Sequence, residues 1–300
     1  MVHRMAVFLA VAAALSLAPH PSEAQSTGRA GQRITAIVDA FGDRPGLERD
    51  WGYAALVEYG GKRILFDTGN DSAGFARNAR RLGVDLTRLD AVVISHRHGD
   101  HTSGLRHVLG INPHVKVYVP DDEAFGGTTP AGFFRQGVPT LPARMRYYGG
   151  TIPRSLPHGT AWQTASFVRV DSAAEIAPGF RLVRNLAPSG PFNETPEISL
   201  VIDTPGGQVV FVGCSHPGIE RILASVAARD PHIALVVGGL HLVTTPQAEI
   251  DRLATALHDR WKVERIAPGH CTGEQAFATL QRVFGDRYAY AGVGTRIGLP

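Results

Sequence analysis

The chain has 300 residues, 44% hydrophobic and 19% charged, with a formal net charge of +3. That is the composition of an ordinary soluble protein with apolar material for one large domain or two modest ones. It holds no run of Lys or Arg that would track a phosphate backbone; the nearest approach, Arg144, Arg146, Tyr147 and Tyr148, reads as loop surface, so nucleic acid is not expected as a partner.

Residues 1–24 read as a secretory signal peptide: Arg4 precedes an apolar run from Met5 to Ala18, and small residues flank Glu23 at Ser22 and Ala24. The run falls short of the roughly 20 residues a bilayer-spanning helix needs. No cysteine follows the small residues, so no stable membrane anchor is expected. Residues 25–300 are then expected as a single domain working in the periplasm or secreted. In such a compartment Cys214 in "GCSHPG" and Cys271 in "GHCTG" are read either as a disulfide pair or as metal or packing residues.

Apolar alternation predicts strands over Arg33 to Ala40, Tyr53 to Glu58 and Arg63 to Phe66, with "YGGKR" as a tight hairpin. Helical spacing of Phe75, Ala79 and Leu82 predicts a helix from Asp71 to Leu82, and "LDAVVIS" then reads as a buried strand. From Pro120 to Pro196, Pro and Gly are frequent and periodicity is weak, which predicts a loop-rich insertion or cap whose aromatics, from Phe125 to Trp162, wall a pocket. Strands follow at Phe180 to Val183, Ile198 to Asp203, Val209 to Val212, Ile233 to Val237 and Val263 to Ala267. Helices alternate with them at Gly218 to Ala228, Gln247 to Asp259 and Glu274 to Phe284.

The chemistry concentrates at strand ends. In "SHRHGDH", His96, His98, Asp100 and His101 leave the predicted strand together, and imidazole and carboxylate are the donors that zinc and similar cations prefer. Three more histidines end apolar strands: His216, His241 and His270. Paired strands bring their ends together, so these sites can converge on one sheet edge. Asp67 in "ILFDTG" fits as a carboxylate orienting a ligating histidine, or else as a turn residue.

In this order, "FDTG", "SHRHGDHTSGL", "GCSHPGI", "GGLHL" and "PGHCTG" resemble the metallo-β-lactamase-fold hydrolases. The likeness is nearest to the branch of 7,8-dihydropterin-6-yl-methyl-4-(β-D-ribofuranosyl)aminobenzene 5′-phosphate synthase. The resemblance implies an α/β fold, an αββα sandwich with a binuclear site at one edge. It implies two divalent cations, zinc foremost, with manganese or iron as alternatives. By the same resemblance His96 and His98 bind the first cation, Asp100 and His101 the second, and His270 the second as well. The chain departs from the wider pattern where Cys214 stands in place of a bridging aspartate; Cys214 is then a ligand, a neighbour or a disulfide partner, and His216 is expected as the first cation's third histidine.

The chemistry so implied is attack by a metal-bound hydroxide on a carbonyl or phosphorus centre of a small molecule. Asp100 would both ligate and steer the nucleophile, and His241 would bind an anionic group or protonate the leaving group, a structural role being the other reading. An exported protein is poorly placed for cytoplasmic pterin chemistry, so a phosphodiester, ester or lactone is expected. Two other readings stay open: a mononuclear iron oxygenase or oxidoreductase on the same fold, and a metal-dependent periplasmic binding module. Nothing in the sequence bears on oligomeric state.

Overall fold

The computed structural model describes residues 31–122, 165–187 and 195–300 throughout, and scattered positions between 123 and 164. The expected signal peptide, together with Phe133, Phe134, Arg144, Tyr147 and Tyr148, lies outside the described residues. Among the described residues the strands are β1 (Arg33–Val38), β2 (Ala54–Tyr59), β3 (Lys62–Phe66), β4 (Ala91–Val93), β5 (Lys116–Pro120), β6 (Thr128–Pro130), β7 (Ser155–Pro157), β8 (Ser166–Val170), β9 (Ala174–Ala177), β10 (Phe180–Leu186), β11 (Pro196–Thr204), β12 (Gly207–Val212), β13 (Ile233–Gly239), β14 (Arg265–Gly269) and β15 (Arg296–Gly298). The α-helices are α1 (Ser72–Arg81), α2 (Gly99–Thr102), α3 (Leu105–Ile111), α4 (Ile219–Ala227), α5 (Gln247–Thr255) and α6 (Glu274–Phe284).

Two sheets carry the fold. One has the order β15-β1-β2-β3-β4-β5-β8, the other β14-β13-β12-β11-β10-β9, while β6 and β7 form a separate ribbon. Their strands are apolar on both faces because both faces are covered. In β2, Ala55 and Val57 face the second sheet while Ala54 and Leu56 face α1 and α3; in β12, Val209 and Phe211 face the first sheet while Val210 and Val212 face α4, α5 and α6. Three apolar layers thus alternate with the two sheets, and the architecture is the expected αββα sandwich.

Strand direction places the site. In the first sheet β3, β4 and β5 are parallel, and β1 shares their direction because β2 runs antiparallel to both β1 and β3. In the second, β12, β13 and β14 are parallel and β11 opposes them. The C-terminal ends of β1, β3, β4, β12, β13 and β14, with the N-terminal start of β11, therefore meet at one edge. There the sheets are stitched by Ile198 N–H donating to the Ser95 carbonyl at 2.9 Å. Gly213 permits the approach: a Cβ on it would lie 2.1 Å from Ser95 Oγ.

The expected insertion over 120–196 is narrower in the structure. Residues 166–186 supply β8 to the first sheet and β9 and β10 to the second. β10 is legible in part, over Phe180 to Val183, whereas β8 and β9 escape a periodicity reading because they lie at sheet edges, where outward positions such as Val168 stay exposed. Phe125 and Trp162, expected to wall a pocket, instead stack with Phe167 at ring distances of 5.5 to 6.2 Å, packed against the α1–α3 layer.

Candidate metal centre

β4 ends at Val93, earlier than the apolar run in the sequence: Ile94 N–H still donates to the Tyr118 carbonyl of β5, but the chain then peels away and Ser95 N–H donates to Asp67 Oδ1 at 2.7 Å. This turn aims His96 inward and starts α2 at Gly99, so that His98, Asp100 and His101 fan from one short loop. His96 Nε2 lies 3.0 Å from His98 Nδ1, and the His216 ring stands 4.7 Å from His96 and 4.9 Å from His98. His101 Nε2 lies 3.2 Å from His270 Nε2, and Asp100 Oδ2 is 3.5 Å from His270 Nε2 and 3.7 Å from His101 Nε2. Two donor sets result, His96 with His98 and His216, and Asp100 with His101 and His270. Cys214 Sγ sits between them, 3.2 Å from His101 Nε2, and makes a further set with His96 and His101.

Orientation comes from buried carboxylates. Asp67 Oδ2 accepts from Ser95 Oγ and faces His101 Nδ1, each at 2.7 Å, which leaves His101 Nε2 for the cluster. Ser95 Oγ also lies 2.9 Å from His96 Nδ1 and so fixes that ring in turn. Glu197, at the start of β11, accepts from the backbone N–H of Cys214, Ser215 and His216 and lies 3.1 Å from His216 Nδ1. Asp39, past the end of β1, accepts the His270 N–H at 3.1 Å on each oxygen. Neither Glu197 nor Asp39 emerges from the sequence reading. Asp39 carried the same signal as Asp67, an acid closing an apolar strand; Glu197 carried none, because it opens a strand whose polar start looks like loop.

Electrostatics favour ligation at His96 and His98. Burial, reinforced by the neighbouring histidines, pushes His96 well below its usual range and His98 down to about 4, so both rings are neutral with lone pairs available. Burial opposes charge at His101, yet the Asp67 carboxylate raises it to about 9. Burial also works against Asp100, but His270 and His101 hold its carboxyl well below the carboxylate range. Four residues at this edge, Asp67, Ser215, His241 and His270, take positive φ between 50° and 62° without being glycine, a strain characteristic of functional sites. The residues fit a pair of cations. Imidazole nitrogens face one another at 3.0 and 3.2 Å with a carboxylate oxygen and a thiol beside them, and the buried His270 Nδ1 has no hydrogen-bond partner, leaving its ring free to serve through Nε2.

The profile of the metallo-beta-lactamase superfamily matches residues 50–270, which contain both donor sets. The chain belongs to this superfamily. The 7,8-dihydropterin-6-methyl-4-(beta-D-ribofuranosyl)-aminobenzene-5'-phosphate synthase of Methanocaldococcus jannaschii is 26% identical over 239 residues, covering 72% of this chain and 77% of that protein. A ribonuclease Z of Mycobacterium bovis is 25% identical over 248 residues, covering 82% and 78%. Among solved structures Tm1679, a metal-dependent hydrolase of the beta-lactamase superfamily, superposes with a TM-score of 0.69 at 27% identity, covering 89% of this chain and 98% of that one. The branch resemblance read from the motifs therefore holds.

His241, two residues past the end of β13, is exposed, and its ring lies 4.6 Å from His216. Hydrogen bonding with Cys271 raises its pKa. Trp51, 51% exposed, stacks at 5.1 Å on His270. These two rings border the centre from the β13 side and from the β1–β2 loop. Both cysteines are free and buried, with no disulfide between them.

Proposed function

We propose that this chain is an exported, binuclear metal-dependent hydrolase acting on a small phosphodiester, ester or lactone. The observation that carries the reading is the pair of three-donor sets, His96–His98–His216 and Asp100–His101–His270, facing each other across Cys214 at one sheet edge. Cations held there, zinc foremost, supply Lewis acidity and a water-derived nucleophile at neutral pH.

The chain's own residues do the rest. Asp67, Glu197 and Asp39 fix ring orientation and the turns that carry the rings, so the donors are arranged before substrate arrives. Asp100, whose carboxylate lies beside His101 and His270, would accept a proton from the attacking water and aim it. His241 faces solvent with a raised pKa, suited to bind an anionic group or to give its proton to a leaving oxygen. Trp51 offers an apolar face to the substrate's non-reacting part. Among the described residues no helix is long and apolar enough to cross a membrane. The export reading rests on residues 1–24.

Metal content by mass spectrometry, on protein purified without chelator or added metal, tests this together with turnover of bis-aryl phosphate, aryl ester and lactone probes. About two zinc or manganese per chain is expected, with turnover lost on chelation and in His98→Ala, which stands exposed and leaves the fold intact. One iron per chain with oxygen consumption would overturn the reading in favour of the oxygenase. Metal without turnover of any probe, unchanged by His98→Ala, would overturn it in favour of a binding module.

A further inference from the structure

Beyond these sets, which all involve residues of the loop after β4, lies another. Cys214, His241 and Cys271 bring two sulfurs and an imidazole nitrogen within 4.8 Å of one another. Each stands two residues past the end of its strand, β12 at Val212, β13 at Gly239 and β14 at Gly269, and these three strands are parallel neighbours, with Gly239 paired to Gly269 and Val212 one residue out of step at Gly238. The sheet itself therefore lines the three donors up. His241 and Cys271 belong to neither set used above, and the Cys271 thiol lies between the two other donors, in hydrogen-bonding contact with His241 and with a long contact to the Cys214 carbonyl at 3.8 Å. Its place is also kept clear: a Cβ on Gly239 would lie 2.8 Å from Cys271 Sγ and 2.4 Å from the Gly213 carbonyl, so only glycine at 239 lets the thiol pack under the end of β13.

We propose that Cys214, His241 and Cys271 form a third cation site, specific for a thiophilic ion such as zinc or copper(I), set against the binuclear centre and sharing Cys214 with it. Two sulfurs and one nitrogen are the donor set soft cations select. Ligands of one such ion sit at about 2.0–2.3 Å from it and hence roughly 3–4 Å apart, so small rotations of the exposed His241 ring close the set. Binding releases the Cys271 thiol proton to solvent, and that of Cys214 as well where the binuclear pair is empty. Because the ion takes the His241 nitrogen, occupancy also removes that ring from the substrate side.

The test uses the full chain stripped of metal, kept in a phosphine reductant and titrated with Cd(II), reading cadmium per chain by native mass spectrometry and the sulfur-to-cadmium charge-transfer absorbance in the ultraviolet. Three cadmium per chain are expected in the wild type and two in both Cys271→Ala and His241→Ala, with the absorbance falling by more than half in Cys271→Ala because only the bond from Cys214 to a cation of the binuclear pair remains. Should Cys271→Ala fail to fold, His241→Ala, at an exposed position, carries the test alone. Two cadmium in the wild type and in both variants, with equal absorbance, would overturn the third site while leaving the binuclear reading intact. A single cadmium that survives His98→Ala but disappears in Cys271→Ala would support the third site and remove the binuclear one.

Discussion

From the first sheet, His96, His98, Asp100 and His101 all leave one loop after β4, and one carboxylate, Asp67, anchors that loop by holding Ser95 and His101. From the second sheet, Cys214, His216, His241 and His270 come from three strand ends far apart in the sequence, and the turns at two of those ends have carboxylates of their own. Glu197 holds the Cys214–His216 turn from β11, and Asp39 holds His270 from the opposite sheet. Donors clustered in sequence share their support, whereas dispersed donors each need an acceptor brought from elsewhere in the fold. The second half should therefore depend more heavily on single buried acids than the first.

The most severe break is expected at Glu197, which gathers three backbone N–H groups and the His216 ring while itself fully buried. Glu197→Ala leaves all four without an acceptor, and losing one partner of a buried charged network costs about 3–5 kcal/mol. Denaturant unfolding of the metal-free variant should show that loss, and metal analysis should show the His96–His98–His216 cation gone. A loss below about 1 kcal/mol would mean that the turn is held by β12 alone and that the contrast between the two sheets is mistaken.

A smaller effect is expected at Asp67. Asp67→Asn keeps a side chain of the same shape and one oxygen for the Ser95 N–H, but it cannot accept from both Ser95 Oγ and His101 Nδ1. Substituting a carboxylate that orients a ligating histidine typically weakens metal binding about 10–100-fold. Competition with a chromophoric chelator measures this directly. The cation of Asp100, His101 and His270 should be the one weakened, because His101 loses its orienting partner.

The same contrast explains what was legible in the sequence. The loop from His96 to His101 is contiguous and chemically conspicuous, and His216, His241 and His270 each follow an apolar run, so all were visible without coordinates. The layered fold was legible only through the family resemblance that these motifs carry, while most of its strands showed as apolar runs. Glu197 was not, since only the antiparallel pairing of β11 with β12 carries the start of one strand to the end of the other. Strands β5, β8 and β15 were also hidden: Lys116 and Arg296 stand exposed at their starts, and β8 and β15 are edges whose pairing partners, not their own alternation, make them strands. The pairing of the two cysteines was one of the sequence readings, but their set with His241 stayed hidden, because adjacent strand ends, and not any spacing, bring His241 to them.

The subtlest test concerns Asp39. Burial pushes its carboxyl well above the usual range even though backbone N–H groups, chiefly that of His270, work the other way. If what His270 needs is an acceptor and not a charge, Asp39→Asn should cost only about 0.5–1.5 kcal/mol at neutral pH, the net worth of one hydrogen bond. Asp39→Ala leaves the His270 N–H buried and unpaired, with a cost of about 1–3 kcal/mol. The pH dependence has a definite sign. A carboxyl whose folded pKa lies above its unfolded value contributes stability that is fully present below the unfolded pKa, about 3.9, and is lost as pH rises through the folded one. The wild type should therefore hold its largest advantage over Asp39→Asn in acid and lose it steadily toward neutrality, which unfolding curves at a series of pH values would show. An advantage that grows with pH would mean that Asp39 is ionised in the fold and acts on His270 by its charge. In that case the second sheet's donors, like His101 on the first, would be tuned electrostatically as well as held in place.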